Sequence, residues 1–217
     1  MRAKKARTEI RQEQIARAAM KLLATQGWQR VSLAAIARQV GVVTSAVYRH
    51  FRSKDPVLDA VLDLVEQSLQ ANVAFAPDAA PNPIVRLHDT LIRHVELITG
   101  GIPVPRIVLS EAVFTGSPRH RKRVHRIYRN YLGALTAWFR AGQEHGSVKR
   151  NLKAEELSLM WLGLVQAPAI LWLLGRGDFD LKQQCESAWN IFLAAIQSQR
   201  PAAAKPAGGQ HFYHHEN

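Results

Sequence analysis

Residues 157–175, with the sequence LSLMWLGLVQAPAILWLLG, form an uncharged run of 19 residues that limits the fold more than any other segment. At about 1.5 Å of rise per residue, a helix of this length nearly spans the hydrocarbon layer of a membrane. The run also contains Ser158, Gln166 and Pro168, and neither an aromatic belt nor a charge asymmetry defines an orientation. We therefore expect a helix that is buried on all sides in a protein, and no membrane partner.

Apolar residues recur at spacings of three and four along most of the chain, and no stretch alternates as a strand would. With 47% hydrophobic residues among 217, the chain can bury a sizeable core. We therefore predict an all-α fold. The predicted helices cover residues 15–23 (ended by Gly27), 33–40 (begun by Ser32), 44–51 (capped by Thr44), 53–75 (capped by Ser53), 87–98 (stopped by Gly100 and Gly101), 105–114, 124–139, 157–174 and 181–196.

Two segments without helical periodicity suggest how the chain is divided. Residues 74–84, AFAPDAAPNPI, contain three prolines and predict a linker or a joint between two domains. After Arg200 the sequence PAAAKPAGGQHFYHHEN is of low complexity and predicts a mobile tail. The predicted organisation is a head over residues 1–52, a helical body over 53–199 and a tail over 200–217.

The positive charge of the chain is concentrated near its N-terminus. The formal net charge is +12, and residues 1–60 carry 12 Lys or Arg against 4 Asp or Glu. Such an excess favours a polyanion as the partner, nucleic acid first and an anionic membrane second. It fits equally well a solvated surface that keeps the protein soluble, and the charge alone leaves these interpretations open.

A glycine turn separates two short helical patterns in IARQVGVVTSAVYRHF, residues 36–51, which is the pattern of a helix-turn-helix. Gly41 can adopt the positive φ that a sharp turn requires, and Ala37 is small enough for the second helix to approach closely. The second helix would present polar side chains to phosphates and base edges, while the first crosses the DNA backbone. The predicted DNA-binding residues are Ser32, Thr44, Ser45, Tyr48, His50 and Lys54.

These side chains also have purely structural interpretations. Thr44 could serve only as an N-cap, Tyr48 could belong to the core, and Lys54 could be a solvated cation. A helix-turn-helix shape also occurs in proteins that bind no DNA. What favours DNA binding is that the turn, the polar second helix and the basic charge fall in one block of about 60 residues.

Residues 8–62 resemble the N-terminal domain of the tetracycline-repressor (TetR) family of bacterial transcription regulators. The resemblance rests on IARAAMKLLATQGW, VSLAAIARQVGV and AVYRHFRSKDPVL, of which the last is the most specific. It differs from the family at Ser45, where many relatives have Gly or Pro, and at His50, which follows Arg49.

The resemblance implies a three-helix DNA-binding head, a larger helical body and a homodimer. Two recognition helices would lie in successive major grooves of a palindromic operator in double-stranded DNA. The resemblance further implies a small-molecule pocket in the body, whose ligand lowers the affinity for DNA.

The predicted body is rich in amphipathic aromatic residues, and apolar walls with a few polar groups are what a ligand cavity needs. At any single one of these positions an ordinary core is the commoner explanation. Pro168 should kink its helix, because it removes a backbone hydrogen bond and crowds the preceding turn. The predicted ligand-binding residues are the aromatic Tyr128, Tyr131, Trp138, Trp161 and Trp172 and the polar His94 and Gln166.

The last two predicted helices carry more apolar surface than one chain can cover. We therefore predict a four-helix dimer seam formed by residues 157–174 together with Trp189, Phe192 and Ile196. This seam explains the uncharged run without a bilayer.

Two segments of the predicted body have further possible roles. The cluster RHRKR, residues 119–123, fits a solvated turn, or contact with DNA or with an anionic ligand such as an acyl thioester of coenzyme A. The helix predicted from Ser53 to Phe75 joins head and body directly. We hypothesise that this helix couples ligand binding to the spacing of the two heads.

Several classes of function lack support in the sequence. Cys185 is the single cysteine, so the chain forms no internal disulfide and no cysteine-based metal site, which suits the cytoplasm. No phosphate-binding loop, nucleophile elbow or paired metal-ligand motif is present, so we expect no enzyme, no cofactor and no metal. His211, His214 and His215 lie in tag-like sequence. The alternatives that remain are a non-specific architectural DNA-binding protein and a membrane-anchored regulator.

Overall fold

The computed structural model describes residues 2–75 and 82–198. These residues form ten α-helices and one 3-10 helix, with no strand beyond an isolated bridge between Val148 and Gln197, so the all-α prediction is confirmed. The predicted tail and most of the predicted linker lie outside the described residues. The helices are α1 (Arg2–Gln26), the 3-10 helix (Trp28–Arg30), α2 (Leu33–Val40), α3 (Thr44–Tyr48), α4 (Lys54–Ala74), α5 (Pro83–Thr99), α6 (Val104–Val108), α7 (Glu111–Phe114), α8 (Pro118–Glu144), α9 (Ala154–Leu174) and α10 (Leu181–Ile196).

Local signals placed several helix ends correctly. The Ser32 hydroxyl oxygen accepts a hydrogen bond from the Ala35 N–H at 3.1 Å and so caps α2. Gly27 and Gly41 follow α1 and α2 with φ of 80° and 77°, the left-handed region that favours glycine. Gly100 and Gly101 follow the end of α5, as predicted.

Four details of the prediction differ from the structure. Thr44 is the first residue of α3 rather than its cap, because Val43 holds the extended cap position. α3 ends at Tyr48 instead of Phe51, and Ser53 precedes α4 without a side-chain cap bond. The single helix predicted over 105–114 is two short helices, because Ser110 adopts an extended backbone with ψ of 151°.

One helix belongs to both parts of the molecule. In the head, α1 packs against α2 and α4, and α2 packs against α3. The same α4 packs against α5 and α8 of the body, in which α9 contacts α5, α6, α8 and α10. The predicted domain boundary after residue 52 therefore falls just before the helix that connects the two parts.

The outward face of the last two helices differs from the predicted seam. Trp189, Phe192 and Ile196 are 3%, 5% and 2% exposed, because they pack into the core of their own chain. The exposed apolar side chains lie elsewhere on these helices, and the uncharged run is not buried on all sides. We call this surface the α9–α10 face; it consists of Leu159, Met160, Leu171, Leu174 and Ile191.

α9 is continuous from Ala154 to Leu174, with Pro168 inside it. Its length and composition alone would allow it to cross a membrane. Of its most apolar stretch of 18 residues, 33% is buried inside the chain. Core helices of soluble proteins meet the same criterion.

Gly41→Ala should lower the free energy of unfolding by about 1–2 kcal/mol. The added Cβ meets no atom, but an L residue is strained in the left-handed conformation at φ of 77°. Gly133→Ala is the matched control, since Gly133 lies inside α8 with open space around it and should gain up to about 1 kcal/mol. Urea denaturation measures both. Equal effects of the two substitutions would contradict the assigned turn.

Candidate DNA-binding surface and ligand site

The turn between α2 and α3 fixes how α3 is presented. The Val42 N–H donates to the Ala37 carbonyl at 3.0 Å and the Gly41 N–H to the Arg38 carbonyl at 3.2 Å, which closes α2 in a Schellman pattern. Val47 is 0% exposed and packs with Ala37 in the core of the head, so α3 has one fixed inward side. The opposite side of α3 faces solvent.

The predicted DNA-binding side chains differ in their exposure. Ser45 is exposed and Tyr48 is 54% exposed, whereas Thr44 and His50 are partly buried. Arg49 adds an exposed cation beside them. The solvent-facing side of α3 thus combines hydroxyl donors and acceptors with a positive charge, which suits base edges and phosphates.

Lys54 has a structural role that the sequence did not indicate. Its Nζ donates to the Trp28 carbonyl at 2.7 Å and to the Gln29 carbonyl at 3.3 Å, and it lies 5.0 Å from the centroid of the Trp28 ring. The ammonium group thereby ties the start of α4 to the 3-10 helix. One of its three donors is left for a phosphate.

In the body, three of the predicted ligand residues meet in one buried cluster. His94 of α5, Tyr131 of α8 and Trp161 of α9 are 1%, 3% and 0% exposed, and their ring centroids lie 5.5–6.3 Å apart. The His94 Nδ1 is 2.9 Å from the Tyr131 hydroxyl oxygen. The Trp161 Nε1–H donates to the Leu87 carbonyl at 3.2 Å.

The sequence analysis missed the fourth member of this cluster, Asn72 of α4. Its Nδ2 donates to the Tyr131 hydroxyl at 2.9 Å and to the Thr90 carbonyl at 3.1 Å, and the side chain is 4% exposed. The signal was present in the sequence, because Asn72 continues the inward positions of α4 through Val65 and Leu69. We call Asn72, His94, Tyr131 and Trp161 the polar cluster.

Burial keeps the polar cluster uncharged. It lowers the pKa of His94 to about 4, and it raises the pKa of Tyr131 above its ordinary value. At neutral pH the cluster therefore offers hydrogen bonds without charge.

The other predicted ligand residues lie apart from the polar cluster. Gln166 Nε2 donates to the Tyr128 hydroxyl at 2.6 Å, and burial raises the pKa of Tyr128 to about 12. Trp138 packs under the Arg86 guanidinium at 5.8 Å, and Trp172 is a partly buried residue at the end of α9. These four residues stay predicted ligand residues.

A small cavity of about 40 Å³ adjoins Tyr131 between α4 and α8. Pockets that bind organic ligands measure about 300–1,000 Å³, so this space is too small for an organic ligand. It is lined by Glu66, Leu69, Gln70, Val73, Ile127, Asn130 and Tyr131.

A network of ion pairs joins α4 to the first turns of α8. Asp59 lies 2.6 Å from Arg119 and 3.5 Å from Arg123, while Arg123 also bonds to Asp63 and lies 3.4 Å from Glu66. Both arginines lie in the first turns of α8; Arg119 remains 70% exposed, whereas Arg123 is 15% exposed and is therefore not a solvated cation. Together these charges hold the head-proximal part of α4 against the body.

The comparison with protein families agrees with the geometry of the head. A family described as bacterial regulatory proteins, tetR family, matches residues 15–61, which run from α1 into α4. Residues 15–61 therefore carry the N-terminal domain of the TetR family. TetR-family proteins are DNA-binding transcriptional regulators.

Relatives and solved structures extend the likeness beyond the head to most of the chain. Nucleoid occlusion factor SlmA of Photobacterium profundum is 28% identical over 190 residues, which cover 88% of this chain and 97% of SlmA. A TetR transcriptional regulator from Chloroflexus aurantiacus gives a TM-score of 0.75 at 16% identity, over 89% of this chain and 100% of that chain. FadR from Bacillus subtilis, solved in complex with stearoyl-CoA, gives 0.68 at 20% identity, over 84% and 98%. At these identities the two structures show a shared fold.

The buried His94 should make the stability of this protein sensitive to acid. Its pKa is lower in the folded chain than the ordinary value of 6.5, so the unfolded state binds more protons between about pH 6.5 and pH 4. Stability should therefore fall as the pH falls through that window. Between pH 7 and pH 5, protonation of His94 in the unfolded state should lower the free energy of unfolding by about 2 kcal/mol.

The measurement is urea denaturation at pH 7 and pH 5. His94→Gln should remove this part of the loss, whereas the control His145→Gln, which changes an exposed imidazole, should retain it. An unchanged pH dependence in His94→Gln would contradict the role assigned to burial.

Proposed function

We propose that the chain is a ligand-responsive repressor that binds a palindromic operator as a homodimer in the cytoplasm and is released by a small, largely apolar effector. The observation that carries the proposal is the solvent-facing side of α3, held outward by the buried Val47 and the turn at Gly41. On this side we assign base or phosphate contacts to Thr44, Ser45, Tyr48 and His50, with Ser32 and Lys54 at the flanking helix starts.

The α9–α10 face supports the homodimer. Leu171, Leu174 and Ile191 are 62%, 73% and 76% exposed, a large apolar area to leave in water. A second copy of the chain offers the same face, so pairing about a twofold axis buries both faces in a four-helix seam. A dimer of this kind brings two copies of α3 to one DNA duplex, as a palindrome requires.

The polar cluster supports the effector. It combines aromatic surface with a few hydrogen-bonding atoms in the centre of the body, which is the composition of a ligand site. FadR from Bacillus subtilis was solved in complex with stearoyl-CoA, and that likeness favours a body that binds small molecules.

The shared helix α4 supports coupling between effector and DNA. Asn72 near its end belongs to the polar cluster, and Asp59 and Asp63 near its start pair with α8. An effector that moves α4 relative to α8 would change the position of the head. The two heads of a dimer can dock together only on half-sites about 34–36 Å apart. A displacement of one head by a few ångströms therefore weakens operator binding.

Tyr48→Ala should weaken binding to the operator by about 1–3 kcal/mol and change binding to random DNA far less, because Tyr48 is placed to read base edges. Phe114→Ala is the matched control, since it removes a similarly exposed aromatic ring, 55% against 54%, from α7. Fluorescence anisotropy with an operator selected from random duplexes measures both affinities. Equal losses on operator and random DNA would favour the architectural alternative.

A further inference from the structure

Val43 is an apolar side chain directly before α3, and most of its surface faces water. It is 69% exposed, and among the large apolar side chains of the described residues only Leu174 and Ile191 of the α9–α10 face are more exposed. Single exposed apolar residues are common on protein surfaces, so exposure alone assigns no role to Val43. Its position in the head supplies the further evidence.

The position of Val43 favours a polar residue. Val43 is the N-cap of α3, with an extended backbone at φ of −71° and ψ of 148°, and its side chain makes no cap bond. Ser, Thr, Asp and Asn stabilise such a position, because their side chains accept from the first N–H groups of the helix. Ser32 does so for α2. Valine at this position therefore lowers the stability of the head, which points to a role in binding.

The neighbouring contacts hold Val43 in one place. The Val42 side chain packs against the core, and the Val42 N–H donates to the Ala37 carbonyl at 3.0 Å. On the other side, the Val43 carbonyl oxygen accepts from the Ala46 N–H at 2.9 Å. Because a β-branched side chain has few favourable χ1 rotamers, the two methyl groups point in a defined direction. Val43 therefore loses little conformational freedom when it binds.

Val43 extends the exposed surface of α3 at its N-terminal end. Ser45 and Tyr48 are the exposed side chains farther along, and both are assigned to DNA above. In a helix-turn-helix, residues near the N-terminus of the second helix contact base edges in the major groove. Val43 precedes Tyr48 by five residues, about 7.5 Å along a helix, and base pairs follow one another at about 3.4 Å. The two side chains therefore reach different base pairs.

The major groove offers a valine one kind of partner. Base edges there carry hydrogen-bond donors and acceptors, and the apolar exception is the C5 methyl group of thymine. The DNA backbone carries charged phosphates. A valine side chain has no atom that bonds to a polar or charged group, whereas contact between its methyl groups and the thymine methyl removes apolar surface from water.

We propose that Val43 contacts the C5 methyl group of one thymine in each half-site of the operator and thereby selects thymine at that position. The inference rests on the proposed function and names a base that the operator must contain. Val43 is then a residue that determines specificity, and the stability that it forgoes as an N-cap serves the readout of DNA.

Deoxyuridine in place of thymine tests the contact, because it removes the C5 methyl group and keeps every hydrogen-bonding group. In an operator selected from random duplexes, each thymine position is replaced in both half-sites, one position at a time, and affinity is measured by fluorescence anisotropy. Burial of one methyl group changes an affinity about fourfold. At one position the symmetric replacement should therefore weaken wild-type binding about fifteenfold.

Val43→Ser assigns that loss to the residue. Serine lacks both methyl groups, so the variant should bind the thymine and deoxyuridine operators equally at this position. Serine is also a preferred N-cap, so the head should keep its stability, which urea denaturation checks. Val85→Ser is the matched control, since it makes the same change at a valine of α5 that is 43% exposed. This control should retain the wild-type loss.

The outcomes separate failure of this inference from failure of the proposed function. A selected operator without thymine in its half-sites, equal wild-type affinity for every deoxyuridine operator, or losses that all persist in Val43→Ser would each overturn the inference. In these cases the wild-type chain still binds its operator above random DNA, and the proposed function stands. A wild-type chain that binds no operator above random DNA would overturn both.

Discussion

The body depends on α9, a helix that is apolar on two opposite faces. Its inward face buries Trp161, Val165 and Ala169 completely, and α5, α6, α8 and α10 all pack against the helix. Its outward face exposes Leu171 and Leu174 to water, which the hydrophobic effect opposes. One helix thus builds the core of a single chain and also creates the surface that favours a second copy.

The second constraint is that α4 belongs to both the head and the body. Near its start, Lys54 bonds to the 3-10 helix and Asp59 pairs with α8, while near its end Asn72 enters the polar cluster. A helix held at these points moves as one rigid element, so a change at the cluster reaches the head. Allosteric coupling requires such an element with two arrangements, and α4 is the element that both proposed sites contact.

Much of this architecture was predictable from local signals, because Ser32, Gly27 and Gly41 act on the backbone within a few residues. The predictions that failed depended on which helices become neighbours in the folded chain. Periodicity identified apolar faces on α10, yet it could not tell that Trp189 packs into its own chain while Ile191 faces solvent. Acidic residues at 59, 63 and 66 and arginines at 119, 123 and 126 share the same helical spacing, but only the fold shows that the two sets meet. Likewise, periodicity places Asn72 on the inward face of α4, but only the fold shows that it bonds to Tyr131.

The central claim is that two copies of the chain pair through the α9–α10 face and so present two α3 helices to one duplex. Sedimentation equilibrium at micromolar concentration tests it most directly, by comparing the wild-type chain with Leu171→Arg on that face and Leu109→Arg, a control whose leucine is 47% exposed after α6. The account predicts twice the 24.3 kDa chain mass for the wild type and for Leu109→Arg, and a single chain mass for Leu171→Arg. A wild-type chain that sediments as a monomer, or a Leu171→Arg variant that remains a dimer, would contradict it.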